Sequence, residues 1–415
     1  MTLLIFSALV CTLGLALVCV AMDQSPLRAL RMFAVSGGFI LASFLLQVGG
    51  KRRDTLLLPF VSLLCGLGII ALWRIDPLLA SKQILWMMLG LSLMVVTYFL
   101  IDDVRDLGRH KYLAGMGALA LLLLTMLFGI VKNGARLWLG VPGLFVFQPT
   151  EVAKVLMCIF LAGYVADRGE MIQAQMGKAR RAALPALKYM GPLLLVVVFL
   201  LGFFVLQRDL GAAVLFLGLF VAVSYIATGR KTYALLSILF FQAGMVGAYL
   251  ISPADSTIHI RFAGWLNPWA DPSGRSGYQI LQGLFALGSG GLTGTGLGRG
   301  FPELIPEAGT DMIFPVIGEE LGMLGALALL LLYVMVVIRS FGISLRCRHQ
   351  FGTLLAACLA IVFGLQTLII TGGVLRLVPL TGITMPFVSY GGTSVVVNFI
   401  ALGLLLAVSR EDEAK

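Results

Sequence analysis

Apolar stretches of about 20 residues recur along the whole of this 415-residue chain, and no other feature constrains its fold as strongly. A stretch of that length, wound as a helix, crosses the hydrocarbon core of a bilayer. In lipid the backbone must satisfy its own hydrogen bonds, so the spans are read as helices. Only 12% of residues are charged, about half the share of a soluble domain. That leaves too little polar surface for a water-soluble globule. The sequence predicts an all-α polytopic integral membrane protein.

Twelve spans are predicted, at about 3–22, 32–50, 55–73, 83–101, 112–131, 150–166, 190–206, 210–227, 232–251, 313–338, 354–373 and 392–409. The net charge of +10 raises the question of a nucleic-acid partner, but the placement of the charge answers it. With the N-terminus inside, the inner connections and tail hold 18 Lys and Arg, the outer connections hold 11, and Lys154 lies within a span. This is the positive-inside bias, which predicts both termini in the cytoplasm and no nucleic-acid partner. None of the six cysteines forms a CxxC pair and five fall within spans, so a disulfide framework is not expected. Thr2 to Met22 is long enough to span and has no basic segment before it, so it does not read as a cleavable leader.

One outer connection, between 252 and 312, is far longer than ordinary helix–helix links. Its aromatic and apolar content (Phe262, Trp265, Trp269, Tyr278, Phe285) predicts order, with short helices lying on the membrane. Two shorter outer loops, 132–149 and 374–391, carry similar Gly, Pro and aromatic punctuation. Three decorated loops on one face point to a site there.

Five blocks carry the chemistry. The first runs from Asn133 through Arg136 and Trp138 to Gly140, then from Phe147 to Lys154. Thr150 is a predicted N-cap with Pro149 just outside the helix. Glu151 and Lys154 stand three apart on one helical face, as either a structural ion pair or part of a polar cavity; Trp138 suits an interfacial anchor equally well. The second block, Gln207-Arg208-Asp209-Leu210-Gly211, is a tight outer hairpin in which Asp209 can cap the next helix. The third holds Arg261 and Gln279 and ends in glycines from Gly288 to Gly300. No strand precedes those glycines, so a dinucleotide loop is rejected in favour of tight turns or close approach to a ligand.

The fourth block, Ile305-Pro306-Glu307-Ala308-Gly309-Thr310-Asp311, leads into a span carrying Glu319 and Glu320. Asp311 is placed to cap that helix or to act at its outer end. Carboxylates as deep as Glu319 and Glu320 mark a site or a buried network. The fifth block, Val378 to Thr393, contains Pro379, Pro386, Ser389, Tyr390 and a Gly391-Gly392 pair that forbid a continuous helix. Irregular backbone of this kind fits a re-entrant turn over a polar cleft. Other chemistries lack their motifs: there is no HExxH, no P-loop, and no SxxK with KTG.

In this order and topology, the blocks resemble the signature loops of the SEDS family (shape, elongation, division and sporulation), the RodA/FtsW/SpoVE group, over about Thr55 to Ser409. The resemblance implies a ten-helix core at 51–415, with residues 1–50 as two added N-terminal transmembrane helices. It implies polymerisation of lipid II, an undecaprenyl-pyrophosphate-linked disaccharide-pentapeptide, into glycan strands for elongation, division or sporulation. The family's catalytic carboxylate maps onto Asp311, and its paired cavity charges map onto Glu151 and Lys154. A class B penicillin-binding protein is the implied partner, alongside membrane lipids and other proteins of the elongation or division machinery. Three positions depart from the pattern: Arg208 replaces a proline, 367–373 lacks an Asn, and Met312 replaces a Phe.

On this reading an acceptor hydroxyl attacks the donor's anomeric carbon with inversion, Asp311 takes the proton, and a lipid pyrophosphate leaves. Arg136, Arg208, Arg261 or Arg376 would stabilise the leaving group, with or without a divalent cation such as Mg or Mn. Trp138, Glu151, Lys154, Gln207, Asp209, Gln279, Glu307, Glu319, Glu320, Ser389 and Tyr390 complete the candidate substrate-binding set. The rivals are a lipid II flippase or other transporter, and a non-catalytic division scaffold. A flippase needs no base at the outer surface, and a scaffold does not explain polar residues gathered on one outer face.

Overall fold

The computed structural model describes residues 1–48, 54–132, 135–141, 145–178, 187–229, 257–270 and 275–410, with scattered positions between 231 and 250. Most of the predicted span at 232–251, together with Asn133, Gly134 and the loop positions 252–256 and 271–274, lies outside the described residues. Among the described residues, ten helices are long and apolar enough to cross a membrane. The helix Leu187–Gln207 covers the predicted span at 190–206. The chain is a multi-pass membrane protein whose spans are helical, as the length of its apolar stretches requires. Its contacts divide it into two compact units.

The first unit comprises Met1–Asp102, Ile260–Ile343 and Gln366–Lys415. It opens with α1 (Thr2–Ala21), a short 3₁₀ turn (Pro26–Leu30) and α2 (Arg31–Val48), followed by α3 (Leu57–Ile75) and α4 (Pro77–Leu100). Asp76 ends α3 and caps α4: its Oδ1 accepts from Leu78 N at 2.8 Å, with Pro77 at the first helical position. The last span (Gly392–Arg410) packs along α4, where Gly90 admits the Phe399 ring and Gly403 approaches the Met94 carbonyl. Arg410 closes the pair by donating to the carbonyls of Tyr98, Ile101 and Asp102 at the end of α4. Asp54, buried, receives Arg339 as its ion-pair partner.

The long helix Ile313–Arg346 is not continuous, contrary to the single span expected at 313–338. Gly322 breaks it, with φ 70° and ψ −172°. Into the break folds the glycine-rich strap 290–301. Thr295 N and Gly296 N donate to the carbonyls of Glu319 and Glu320 at 2.9 and 3.0 Å, and Met323 N donates to Gly291 O at 2.9 Å. The strap thus satisfies backbone groups that the break would otherwise orphan. Glycine is required on both sides: a Cβ at Gly322 would lie 2.3 Å from Gly294 N, and one at Gly294 would lie 2.1 Å from Glu320 O.

The second unit comprises Asp103–His259 and Ser344–Leu365. It holds α5 (Val104–Arg109), α6 (Lys111–Phe128), α7 (Pro149–Lys178), α8 (Leu187–Gln207) and α9 (Leu210–Thr228). Lys111 pairs with Asp167 at 2.5 Å between α6 and α7. The segment read as a decorated loop at 132–149 forms a three-stranded antiparallel sheet instead. Its strands are β1 (Ile130–Lys132), β2 (Ala135–Val141) and β3 (Phe145–Phe147), with Ile130 opposite Trp138 and Leu139 opposite Phe147. Thr150 does not cap α7. That helix begins at Pro149, and among the described residues the buried Thr150 hydroxyl has no hydrogen-bond partner.

Candidate active site

Two further helices lie within the long loop: α10 (Thr257–Leu266), which belongs to the first unit from Ile260 onward, and α11 (Arg275–Gly290). The spans Ile313–Arg346, Gln350–Val374 and Gly392–Arg410 become α12, α13 and α14. Asp311 sits one residue ahead of α12, in a tight turn whose other end is Glu307. The Glu307 carbonyl accepts from Thr310 N and Met312 N at 3.0 and 3.2 Å, and Glu307 takes a positive φ of 54° to do so. Among the described residues, the Asp311 carboxylate receives no backbone hydrogen bond from the first turn of α12. It is therefore not spent as a cap.

The fifth block fixes that turn from the other side. Ser389 Oγ donates to Thr310 O at 2.6 Å and accepts from Met385 N, while Tyr390 N donates to Gly309 O at 2.7 Å. Gln83, fully buried on α4, donates to Ser389 O at 2.9 Å and accepts from Gly391 N at 3.3 Å. Ser389 and Tyr390 thus act on the site through the backbone that carries Asp311. Gln83 was not singled out from the sequence, because its two partners lie about 300 residues away and only the fold brings them together.

Arg261 on α10 supplies the positive charge. Its Nη1 donates to Thr381 O at 3.1 Å. Its Nη2 and Asp311 Oδ2 come within 3.4 and 3.3 Å of the point where Gly382 would carry a Cβ. A side chain at 382 would fill the space that the two charged groups share. Burial, with Glu307 adding repulsion, pushes the Asp311 carboxyl up to about 7, and Arg261 and a hydrogen bond from Thr310 oppose that shift. A carboxyl that titrates near neutrality, beside a guanidinium and just ahead of a span, suits a general base.

Several predicted ligands have other duties. Arg376, at φ 59°, gives its guanidinium to the carbonyls of Trp265 and Leu266 at the end of α10, and Trp265 Nε1 returns a bond to Arg376 O at 3.0 Å. It closes a helix C-terminus. Glu319 accepts from Phe301 N and Ser289 Oγ, and Glu320 accepts from Gly298 N. These two carboxylates are the buried network: they hold the strap in the α12 break. Arg74 joins them, donating to Gly300 O at 2.6 Å and Glu303 Oε1 at 2.8 Å, with Nε 3.3 Å from Glu320 Oε1. Sequence reading counted Arg74 only as a loop charge. Gln279 on α11 keeps a buried amide nitrogen without a partner and makes no hydrogen bond to the Asp311 cluster among the described residues.

In the second unit, Lys154 Nζ meets Glu151 Oε2 at 2.7 Å with both residues buried, as the three-residue spacing predicts. Asp209 caps α9, its Oδ1 accepting from Ala212 N at 3.0 Å. Arg136 on β2, Gln207 and Arg208 line a cavity of about 300 Å³ together with Met126, Val131 and Leu206. Gln207 Nε2 donates to Leu122 O at 2.9 Å, and its buried Oε1 has no partner among the described residues. Among the described residues, no group of three or more His, Cys, Asp or Glu is placed to hold a metal ion.

A family model described as cell cycle protein, FtsW/RodA/SpoVE, matches residues 55–414. The chain belongs to the FtsW/RodA/SpoVE family. Within that SEDS family, the peptidoglycan glycosyltransferase RodA of Mycobacterium bovis is 39% identical over 372 residues, covering 86% of this chain and 78% of the relative. RodA of Mycobacterium leprae is 35% identical over 421 residues, and that match takes in 98% of this chain and 88% of the relative. A chain in a solved structure reported as "Structural coordination of polymerization and crosslinking by a peptidoglycan synthase complex" superposes with a TM-score of 0.69. It is 27% identical and covers 88% of this chain and 99% of its own. The family model begins at residue 55, so the helical hairpin α1–α2 lies outside the SEDS match.

Proposed function

We propose that this SEDS protein is a peptidoglycan glycosyltransferase that polymerises lipid II at the outer face of the cytoplasmic membrane, with Asp311 as its general base. One observation carries the reading: Asp311 is raised towards neutrality, faces Arg261, and is left uncapped in a turn that Ser389 and Tyr390 hold in place. In the reaction the acceptor's hydroxyl oxygen forms a bond to the donor's anomeric carbon. Its proton passes to an Asp311 oxygen, and the bond to the lipid pyrophosphate breaks with its electron pair on the leaving oxygen. A single displacement inverts that carbon. Arg136 and Arg208, lining one cavity in the second unit, suit an anionic phosphate group.

The naming of RodA relatives as glycosyltransferases supports the activity. Similarity to a chain of a peptidoglycan synthase complex that couples polymerisation to crosslinking supports a class B penicillin-binding protein as partner. The charge split of 18 to 11 supports cytoplasmic termini. The family match from residue 55 supports a division into an added hairpin at 1–50 and a catalytic core at 51–415. The test is reconstitution of wild type with the partner and labelled lipid II in vesicles, with polymer resolved on gels and lipid II exposure followed on each leaflet. Glycan strands are expected. Translocation of lipid II without polymer would give the function to a flippase.

A further inference from the structure

The hairpin α1–α2 has no counterpart in the family match, yet it is stitched to the residues that carry the strap. Helix α1 lies close on α3. A Cβ at Gly66 would fall 2.1 Å from Cys11 Sγ, and Ser7 Oγ meets Ser62 Oγ at 3.1 Å. The stitching is densest at the outer end. There Trp73 Nε1 donates to Gln24 Oε1 at 3.3 Å, and the Arg31 guanidinium lies 5.1 Å from the Trp73 ring centre. Ala21, the last residue of α1, abuts the strap itself: a Cβ at Gly298 would fall 2.5 Å from Ala21 Cβ. Three consecutive residues of α3 then divide the work. Trp73 receives the hairpin, Arg74 grips Gly300, Glu303 and Glu320, and Leu72 packs where a Cβ on Gly309 would lie 3.3 Å away, two residues before Asp311.

We infer that the N-terminal hairpin is a brace for glycosyl transfer, acting through Trp73 as a positioning residue to hold the strap and the turn that carries Asp311. The inference rests on the reading of Asp311 as the base. Its value to the enzyme is geometric, since displacing a reacting group by about 1 Å costs on the order of 10²-fold in rate. The match of M. leprae RodA over 98% of this chain marks the hairpin as a feature that this relative also carries.

The experiment uses the full-length protein with its partner, comparing wild type, Ala21→Phe, Trp73→Phe and a lipid-side control, Leu13→Phe, which is 65% exposed on α1. Ala21→Phe drives a ring against Gly298, and Trp73→Phe removes the bond to Gln24. Hydrogen exchange at the amides of 294–301 reads the brace independently of activity. The pH dependence of polymerisation reads the environment of Asp311. In both variants, faster exchange confined to the strap is expected, with turnover down about 10- to 100-fold. The acid limb should also move to lower pH as water reaches the carboxyl. The control should match wild type. Unchanged exchange, unchanged turnover, or a rate profile scaled down without movement of its acid limb would each overturn the brace. Should Asp311→Asn retain full turnover, the base reading fails, while the exchange data still decide whether the hairpin holds the strap.

Discussion

From local sequence alone Asp311 was open between a helix cap and a group acting at the end of its span, and its reading as the base came from the resemblance to the SEDS family. Its partner Arg261 was legible only as one of four candidate arginines, since the contact at Gly382 closes a gap of about 120 residues. The pH consequences follow from the sign of the shift. On the proposal that Asp311 is the base it must be ionised to act, so polymerisation should rise with pH to a plateau above about 7 and fall below it. Stability runs the other way. A carboxyl raised from 3.8 to about 7 by folding favours the fold below its unfolded value and loses that contribution as pH rises through about 7. Asp311→Asn, permanently neutral, should therefore melt above wild type at pH 8, with a smaller gap at pH 5. An equal gap at both would contradict the titration. The buried pair predicts a loss instead: Lys154→Ala strands Glu151, and breaking such a pair typically costs about 3–5 kcal/mol. Its melting temperature in detergent should drop. If activity vanishes at unchanged stability, the pair belongs to substrate handling.

Elements were legible where periodicity and length decide them, and missed where backbone meets backbone. The spans, the short helices of the long loop and the Asp209 cap all follow from local residue choice. The break at Gly322 does not, because it depends on the strap filling it from some 25 residues upstream. The glycines from Gly288 to Gly300 were read as tight turns or close approach to a ligand; Gly291, Gly294, Gly296 and Gly298 take the positive φ of turns, while Gly290, Gly294 and Gly300 closely approach α12. The β1–β3 sheet was hidden by turn residues at its corners and by strands of 3 to 7 residues. Gly322→Ala tests the strap joint. At φ 70° a β-carbon is strained at a cost of about 1–3 kcal/mol, and here it also meets Gly294 N at 2.3 Å. The variant should melt at lower temperature and admit protease near 294–303. Wild-type behaviour in both assays would mean that the joint is not a strained contact.

For the molecule as a whole, membrane topology rests on the charge bias, and the first unit offers an internal check. Three connections placed outside by that bias, 22–31, 74–82 and 252–312, meet through Trp73, Arg74 and Gly298. A cysteine in place of Leu304, which is 55% exposed, should react with an impermeant thiol reagent in intact cells. One in place of Arg109, 78% exposed, should react only after permeabilisation. The reverse pattern would invert the topology and remove the outer site. The most direct test of the central claim is the turnover of purified Asp311→Asn with its partner and labelled lipid II at pH 8, set against wild type under the same conditions. The substitution keeps the shape of the side chain but cannot take a proton. Loss of a general base predicts a fall of about 10²–10⁴-fold in strand synthesis with partner binding intact. Full-length strands formed at the wild-type rate would contradict the assignment of Asp311.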